Sequence, residues 1–144
     1  MKIVICASID ATMDIKEAAE SLKRLGHEVE IPKYSQKILN NEITLEKFLE
    51  VKEREGDMVF RKKEEDLIMR YYNIIKSSDA ILVLNVDKKG IKNYIGGNTF
   101  LEMGFAYVLG KKMFLINGIP EMQYKDEIMA MSPTIINGDL GKIR

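Results

Sequence analysis

The sequence predicts a single α/β domain, a three-layer sandwich around a mostly parallel, five-stranded sheet. Three observations point there. Five short apolar runs are rich in β-branched residues, the stretches between them have helical period, and 144 residues suit one domain.

The strands are expected at Ile3–Ala7, Val29–Ile31, Ala80–Leu84, Met113–Ile116 and Thr134–Ile136. Between the first two, Asp14–Arg24 carries Ile15, Ala18, Ala19 and Leu22 on one face, and Leu25-Gly26 supplies a helix stop. Glu42–Ser78 is charged and reads as two helices with a break at Gly56-Asp57; the second puts Ile68, Tyr71, Tyr72 and Ile75 on one stripe. Thr99–Leu109 places Leu101, Phe105, Val108 and Leu109 on one face and stops at Gly110. A short helix around Tyr124–Met131 precedes Pro133 and the last strand, and Gly138–Arg144 reads as a surface tail.

Strands alternating with helices imply right-handed crossovers that cover both faces of the sheet, hence a doubly wound, flavodoxin- or Rossmann-like arrangement. In such sheets ligands bind beyond the carboxyl ends of the strands, where the strand order reverses. The loops to read are therefore Ser8–Met13, Asn85–Asn98 and Asn117–Gln123.

Composition narrows the partners. Lysine plus arginine (22) balance aspartate plus glutamate (22), which leaves no net field to draw the chain onto nucleic acid or an acidic membrane. No apolar run approaches the roughly 20 residues of a membrane span, and the N-terminal one is too short for a signal-peptide core. The single cysteine, Cys6, lies in an apolar run and reads as a small buried hydrophobe in a reducing compartment. A cytoplasmic protein is expected. The single histidine, His27, rules out a histidine-based metal cluster and a Ser-His-Asp triad. No metal and no cofactor is expected.

The segment Tyr94-Ile-Gly-Gly-Asn-Thr-Phe-Leu-Glu-Met-Gly-Phe-Ala106 runs from a glycine pair into a helix start, where free N–H groups favour an anion. Gly96, Gly97, Asn98 and Thr99 are thus candidate binding positions. Glu102 lies about 100° from Leu101 around the helix, at the edge of the apolar stripe, so its carboxylate should be partly buried and face the cleft. Such a group can act as a nucleophile on a sugar carbon or as a general base. Thr99-x-x-Glu102 also fits a capping box, in which the glutamate merely satisfies a backbone N–H.

The segment Gly97-Asn-Thr-x-x-Glu-Met-Gly-Phe-Ala106, following the strand at Ala80, resembles the signature of the nucleoside 2-deoxyribosyltransferase superfamily, which includes the 2′-deoxynucleoside 5′-monophosphate N-glycosidases. The resemblance implies a nucleophilic glutamate at Glu102, a nucleoside or nucleotide as small-molecule substrate, and a homo-oligomer, dimeric or higher. The chain also departs from the pattern. Gly96 stands where the family has an aspartate, Tyr71 aligns with a second family aspartate, and Ser8 is the nearest counterpart of the tyrosine that the family keeps near the end of strand one.

Other acids stand near the expected cleft. Asp10 and Asp87 follow the first and third strands, where either can hold a ribose hydroxyl or serve as an acid; Glu64 shares a helical face with Tyr71, whereas Asp66 points away. Lys88, Lys89 and Lys92 offer point charges for a phosphate. Tyr94, Phe100 and Tyr124 offer rings for a base, and Asn117 opens a turn, Asn117-Gly-Ile-Pro-Glu121, that can hold base or sugar.

Two functions follow: N-glycosidic bond cleavage or transfer through Glu102, or non-catalytic binding of a nucleotide or related small molecule by the same fold. A flavin carrier fits less well, since Ser8-Ile-Asp-Ala-Thr-Met13 has no glycine to wrap a phosphate.

Overall fold

The computed structural model describes residues 1–54 and 67–144. A five-stranded sheet runs in the order β2-β1-β3-β4-β5, with β1 at Lys2–Cys6, β2 at Glu28–Glu30, β3 at Ala80–Val83, β4 at Lys112–Leu115 and β5 at Thr134–Ile135. Every pairing is parallel. The five expected strands are thus present, each displaced by a residue or so, and the three-layer architecture is as expected.

Among the described residues the α-helices are α1 (Thr12–Arg24), α2 (Lys33–Leu39), α3 (Leu45–Arg54), α4 (67–76), α5 (Gly97–Val108) and α6 (Lys125–Ala130). The expected break at Gly56-Asp57, and the positions Glu64 and Asp66, lie outside the described residues. Among the described residues no helix is long and apolar enough to cross a membrane.

Alternation along the strands divides the core between two layers. Ile3, Ile5, Leu82 and Phe114 face α1, where Ile15, Ala18, Ala19 and Leu22 complete one cluster. Val4, Cys6, Ile81, Val83, Met113 and Leu115 face Tyr71 and Ile75 of α4, Met103 and Ala106 of α5, and Ile128 of α6. The apolar stripe of α1 ends as its glycine requires. Gly26 takes φ 91°, its N–H reaches the Lys23 carbonyl at 3.0 Å, and the His27 N–H reaches Leu22 at 3.1 Å, the paired bonds of a Schellman stop. The same device ends α5 at Gly110, φ 66°.

Two readings of the sequence need correction. Gly138–Arg144 is not a surface tail: residues Leu140–Lys142 form a 3-10 turn that folds Ile143 into the α1-side cluster, where it is 3% exposed. A single isoleucine two residues beyond Gly141 anchors this segment. The second correction is α2, which was not expected. Its sequence, KYSQKIL, lacks an apolar stripe, because the residue it buries is Ser35, whose hydroxyl meets Thr12 of α1 at 3.0 Å.

The chain steps outward from β1 to β2, then returns to place β3 on the other side of β1. Loops leaving β1 and β3 therefore diverge at their carboxyl ends, and the space between them is where a site belongs.

Candidate active site

A cavity of about 800 Å³ opens at that divergence. The turn after β1 (Ser8, Asp10), the loop after β3 (Lys88, Tyr94) and the first turns of α5 form its walls, with α2, α3 and α4 closing the far side. Its size falls in the ordinary range for small-molecule sites, roughly 300–1,000 Å³.

Glu102 lines this cavity from the second turn of α5. Helix α5 begins at Gly97 with Gly96 as its N-cap, at φ −77° and ψ 169°. Thr99 is therefore the third helical residue, buried at 6% exposure, and not a cap; the capping-box alternative for Glu102 fails. Ile95, 1% exposed, pins the chain just before Gly96 and so sets where the helix starts. Glu102 then points from the helix into the cavity, partly exposed to it.

Burial pushes the Glu102 carboxyl up to about 7, partly opposed by the neighbouring Cys6 thiol. Cys6 is the last residue of β1 and fully buried; burial first, then the neighbouring Glu102 charge, raises its thiol well above the usual range. Tyr71 of α4 completes the group. Its hydroxyl is buried without a hydrogen-bond partner, and burial together with the Glu102 charge pushes its ionisation upward. Near the end of strand one, where the resemblance implies a phenol, the sequence has only Ser8. The structure brings one from α4, a position the helical stripe showed to be inward-facing but not where it pointed.

Ser8 and Asp10 are drawn together by Lys88. The ammonium lies 2.7 Å from Ser8 Oγ and 2.9 Å from Asp10 Oδ2, and 5.9 Å from the centre of the Tyr94 ring. Lys89 approaches the same ring at 5.8 Å. Beyond this bridge lies a smaller cavity of about 320 Å³ that shares Ser8, Asp10, Lys88, Tyr94, Gly96 and Thr99 with the larger one.

Gly96, Gly97, Asn98 and Thr99 all line the main cavity, with Gly97 and Asn98 exposed. At Gly96 a Cβ would stand 3.3 Å from Tyr94 Cε1, so a larger residue there would need the tyrosine ring to give by a few tenths of an ångström.

The remaining candidates lie elsewhere. Asp87 borders only the smaller cavity, and its Oδ1 accepts from the Asn93 N–H at 2.8 Å, closing its own loop. Asn117 borders neither cavity; its amide is committed to the Asn85 carbonyl at 3.1 Å. Phe100 and Tyr124 stack on each other at 4.5 Å between centroids, and Tyr124 donates to the Ile95 carbonyl, so both rings serve packing. His27 meets the N-terminal amine at 3.2 Å, far along the chain from these loops.

No protein-family model matches the chain, and no curated protein does. Among solved structures, the Clostridium botulinum CMP N-glycosidase BcmB matches 95% of this chain and 90% of its own, with a TM-score of 0.55 and 15% identity. The likeness is one of fold. It agrees with the five-stranded parallel sheet covered by helices on both sides.

Proposed function

We propose that the protein cleaves the N-glycosidic bond of a nucleotide or nucleoside, with Glu102 as nucleophile. The observation that carries this reading is a carboxylate facing a nucleotide-sized cavity at the strand switch point, on a helix start it does not cap, with its ionisation near 7. The fold shared with a CMP N-glycosidase supports the same chemistry.

In this reading a Glu102 carboxylate oxygen attacks the anomeric carbon. The bond from that carbon to the base nitrogen breaks, and its electron pair leaves with the base, which takes up a proton. Water, or a second base, then attacks the same carbon from the opposite side. The ester bond to Glu102 breaks, the attacking group gives up a proton, and the carboxylate is restored. Two displacements at one carbon retain its configuration. A carboxyl near 7 is a stronger base than an ordinary glutamate and is still about half ionised at neutral pH.

Asp10, at the cavity mouth and bridged to Lys88, is the second acid available to the departing base. Lys88 and Lys89, with the free N–H groups of Gly97 and Asn98, form the side of the cavity suited to a phosphate. The enzyme is proposed to act in the cytoplasm as a homo-oligomer. Support for the second point is α5, whose one charged residue is Glu102 and which leaves Tyr107 and Val108 exposed at its carboxyl end.

The test is to incubate wild type and Glu102→Ala with nucleosides and 5′-nucleotides, ribo and deoxy, with and without an acceptor base, and to follow free base by chromatography. Base release by wild type alone supports the proposal. No release, with the same ligands still raising the melting temperature, replaces it by a non-catalytic nucleotide binder of the same fold.

A further inference from the structure

The two cavities that meet at Lys88 differ in charge. Among the described residues, four lysines line the larger one, Lys33, Lys52, Lys88 and Lys89, against the three acids Asp10, Glu53 and Glu102. The smaller, of about 320 Å³, sets the carboxylates of Asp10, Asp14 and Asp87 against the ammonium of Lys88, which is already engaged with Ser8 and Asp10. An anion is therefore drawn to the larger cavity and held out of the smaller one.

The smaller cavity is rich in acceptors and poor in donors. Thr99 is 6% exposed and lines both cavities, and its hydroxyl makes no hydrogen bond among the described residues. That hydroxyl is not sealed inside the protein as the Tyr71 hydroxyl is, so it is open to a ligand. Asp14, in the first turn of α1, likewise makes no hydrogen bond or ion pair among the described residues. The rest of the wall is apolar: Ala11 and Leu84 are buried, and Val86 and the Tyr94 ring join them. Apolar walls with a few acceptors suit a small planar ring that carries N–H donors on its edge.

We propose that the smaller cavity is a base subsite selective for an amino-bearing ring, of the cytosine or adenine type, whose exocyclic N–H groups donate to Thr99 Oγ1 and to the Asp14 carboxylate. The inference rests on the nucleotide reading above and adds the class of base. Thr99 and Glu102 stand three residues apart on α5, so their Cβ atoms are about 5–6 Å from one another on neighbouring turns. A sugar carbon at Glu102 thus leaves its base beside Thr99, while a 5′-phosphate stays on the lysine side of the larger cavity. A ring with a carbonyl in place of the amine turns an acceptor toward the Asp14 carboxylate and is rejected.

The experiment is a calorimetric titration of Glu102→Gln, which removes the proposed nucleophile, with the 5′-monophosphates of cytidine, adenosine, uridine and inosine. It is repeated with Thr99→Val, Thr99→Ser or Asp14→Asn added. The two amino-bearing nucleotides are expected to bind about tenfold more tightly than the two carbonyl-bearing ones. Thr99→Val keeps the shape and loses the hydroxyl, and Asp14→Asn keeps the size and loses the charge; each is expected to cut the preference to within about threefold, whereas Thr99→Ser keeps it. Asp14 is exposed, so its variant decides the matter even where Thr99→Val fails to fold. Equal affinity for all four, tighter binding of the carbonyl pair, or a tenfold preference that survives Asp14→Asn or folded Thr99→Val overturns the subsite and leaves the nucleotide reading in place. No binding of any of the four, to this protein or to wild type, removes the nucleotide reading itself.

Discussion

Asn85 and Asn117 hold each other's main chain. Asn117 Nδ2 donates to the Asn85 carbonyl at 3.1 Å, the Asn117 N–H donates to Asn85 Oδ1 at 3.0 Å, and Asn85 Nδ2 returns a bond to the Gly118 carbonyl at 2.8 Å. The loops leaving β3 and β4 are thereby tied at a fully buried amide. Asn85→Ala strands several of these polar groups and is expected to cost about 2–3 kcal/mol of stability, read as a lower urea midpoint. A loss below about 0.5 kcal/mol would mean that water replaces the amide at no cost.

Glu102 also carries a consequence for stability, separate from the role proposed for it. Its carboxyl titrates near 7 when folded, above its ordinary value of 4.5. A raised group contributes stability that is full below the unfolded value and is lost as pH rises through the folded one. Glu102→Gln stays neutral, so relative to wild type it should gain stability between about pH 4.5 and 7.5, reaching up to about 3 kcal/mol. Paired thermal melts across that range check it, and parallel curves at all pH values would refute it.

Lys88 bridges Ser8 and Asp10 at the mouth of the cavity, in a setting only partly exposed. Lys88→Met should change stability by less than about 1 kcal/mol, since such pairs contribute little net energy. Its expected effect is on recognition: KM for 5′-nucleotides rises about tenfold while KM for nucleosides holds. Equal changes for both substrates would place the lysine away from the phosphate.

Ile143, the last residue but one, is a core residue. Ile143→Ala is expected to cost about 2–4 kcal/mol, and removal of residues 139–144 more than that. Chemical denaturation measures both, and a truncated chain as stable as the parent would show the final turn to be dispensable.

The sequence made the strands and two helices legible because their signals are local. Apolar runs mark β1, β3 and β4, and a glycine two residues past the last helical residue marks the ends of α1 and α5. Glu102 was placed less securely: the stripe expected on its helix, Leu101, Phe105, Val108 and Leu109, is not the buried one, since Thr99, Met103 and Ala106 are buried while Leu101 and Val108 are exposed. The neighbours of Glu102 were not legible. Cys6 and Tyr71 reach it only through the parallel register of β1 and β3, Ile3 opposite Ala80 through Cys6 opposite Val83, and the packing of α4 beneath them. Asn117 follows a strand at the edge where ligands bind, but its side-chain amide donates to the Asn85 carbonyl, a partner that no local pattern marks. The start of α5 was misjudged by two residues, enough to turn the buried third position, Thr99, into an apparent cap.

The sheet ends on both sides in very little strand. β2 offers three residues, with glutamates at its first and third positions, and β5 offers two. An edge so short, and on one side so acidic, is a poor template for a strand from another molecule. Copies of this chain that associate must therefore meet through helices rather than by extending the sheet, and the same shortness protects the folded protein from edge-to-edge aggregation.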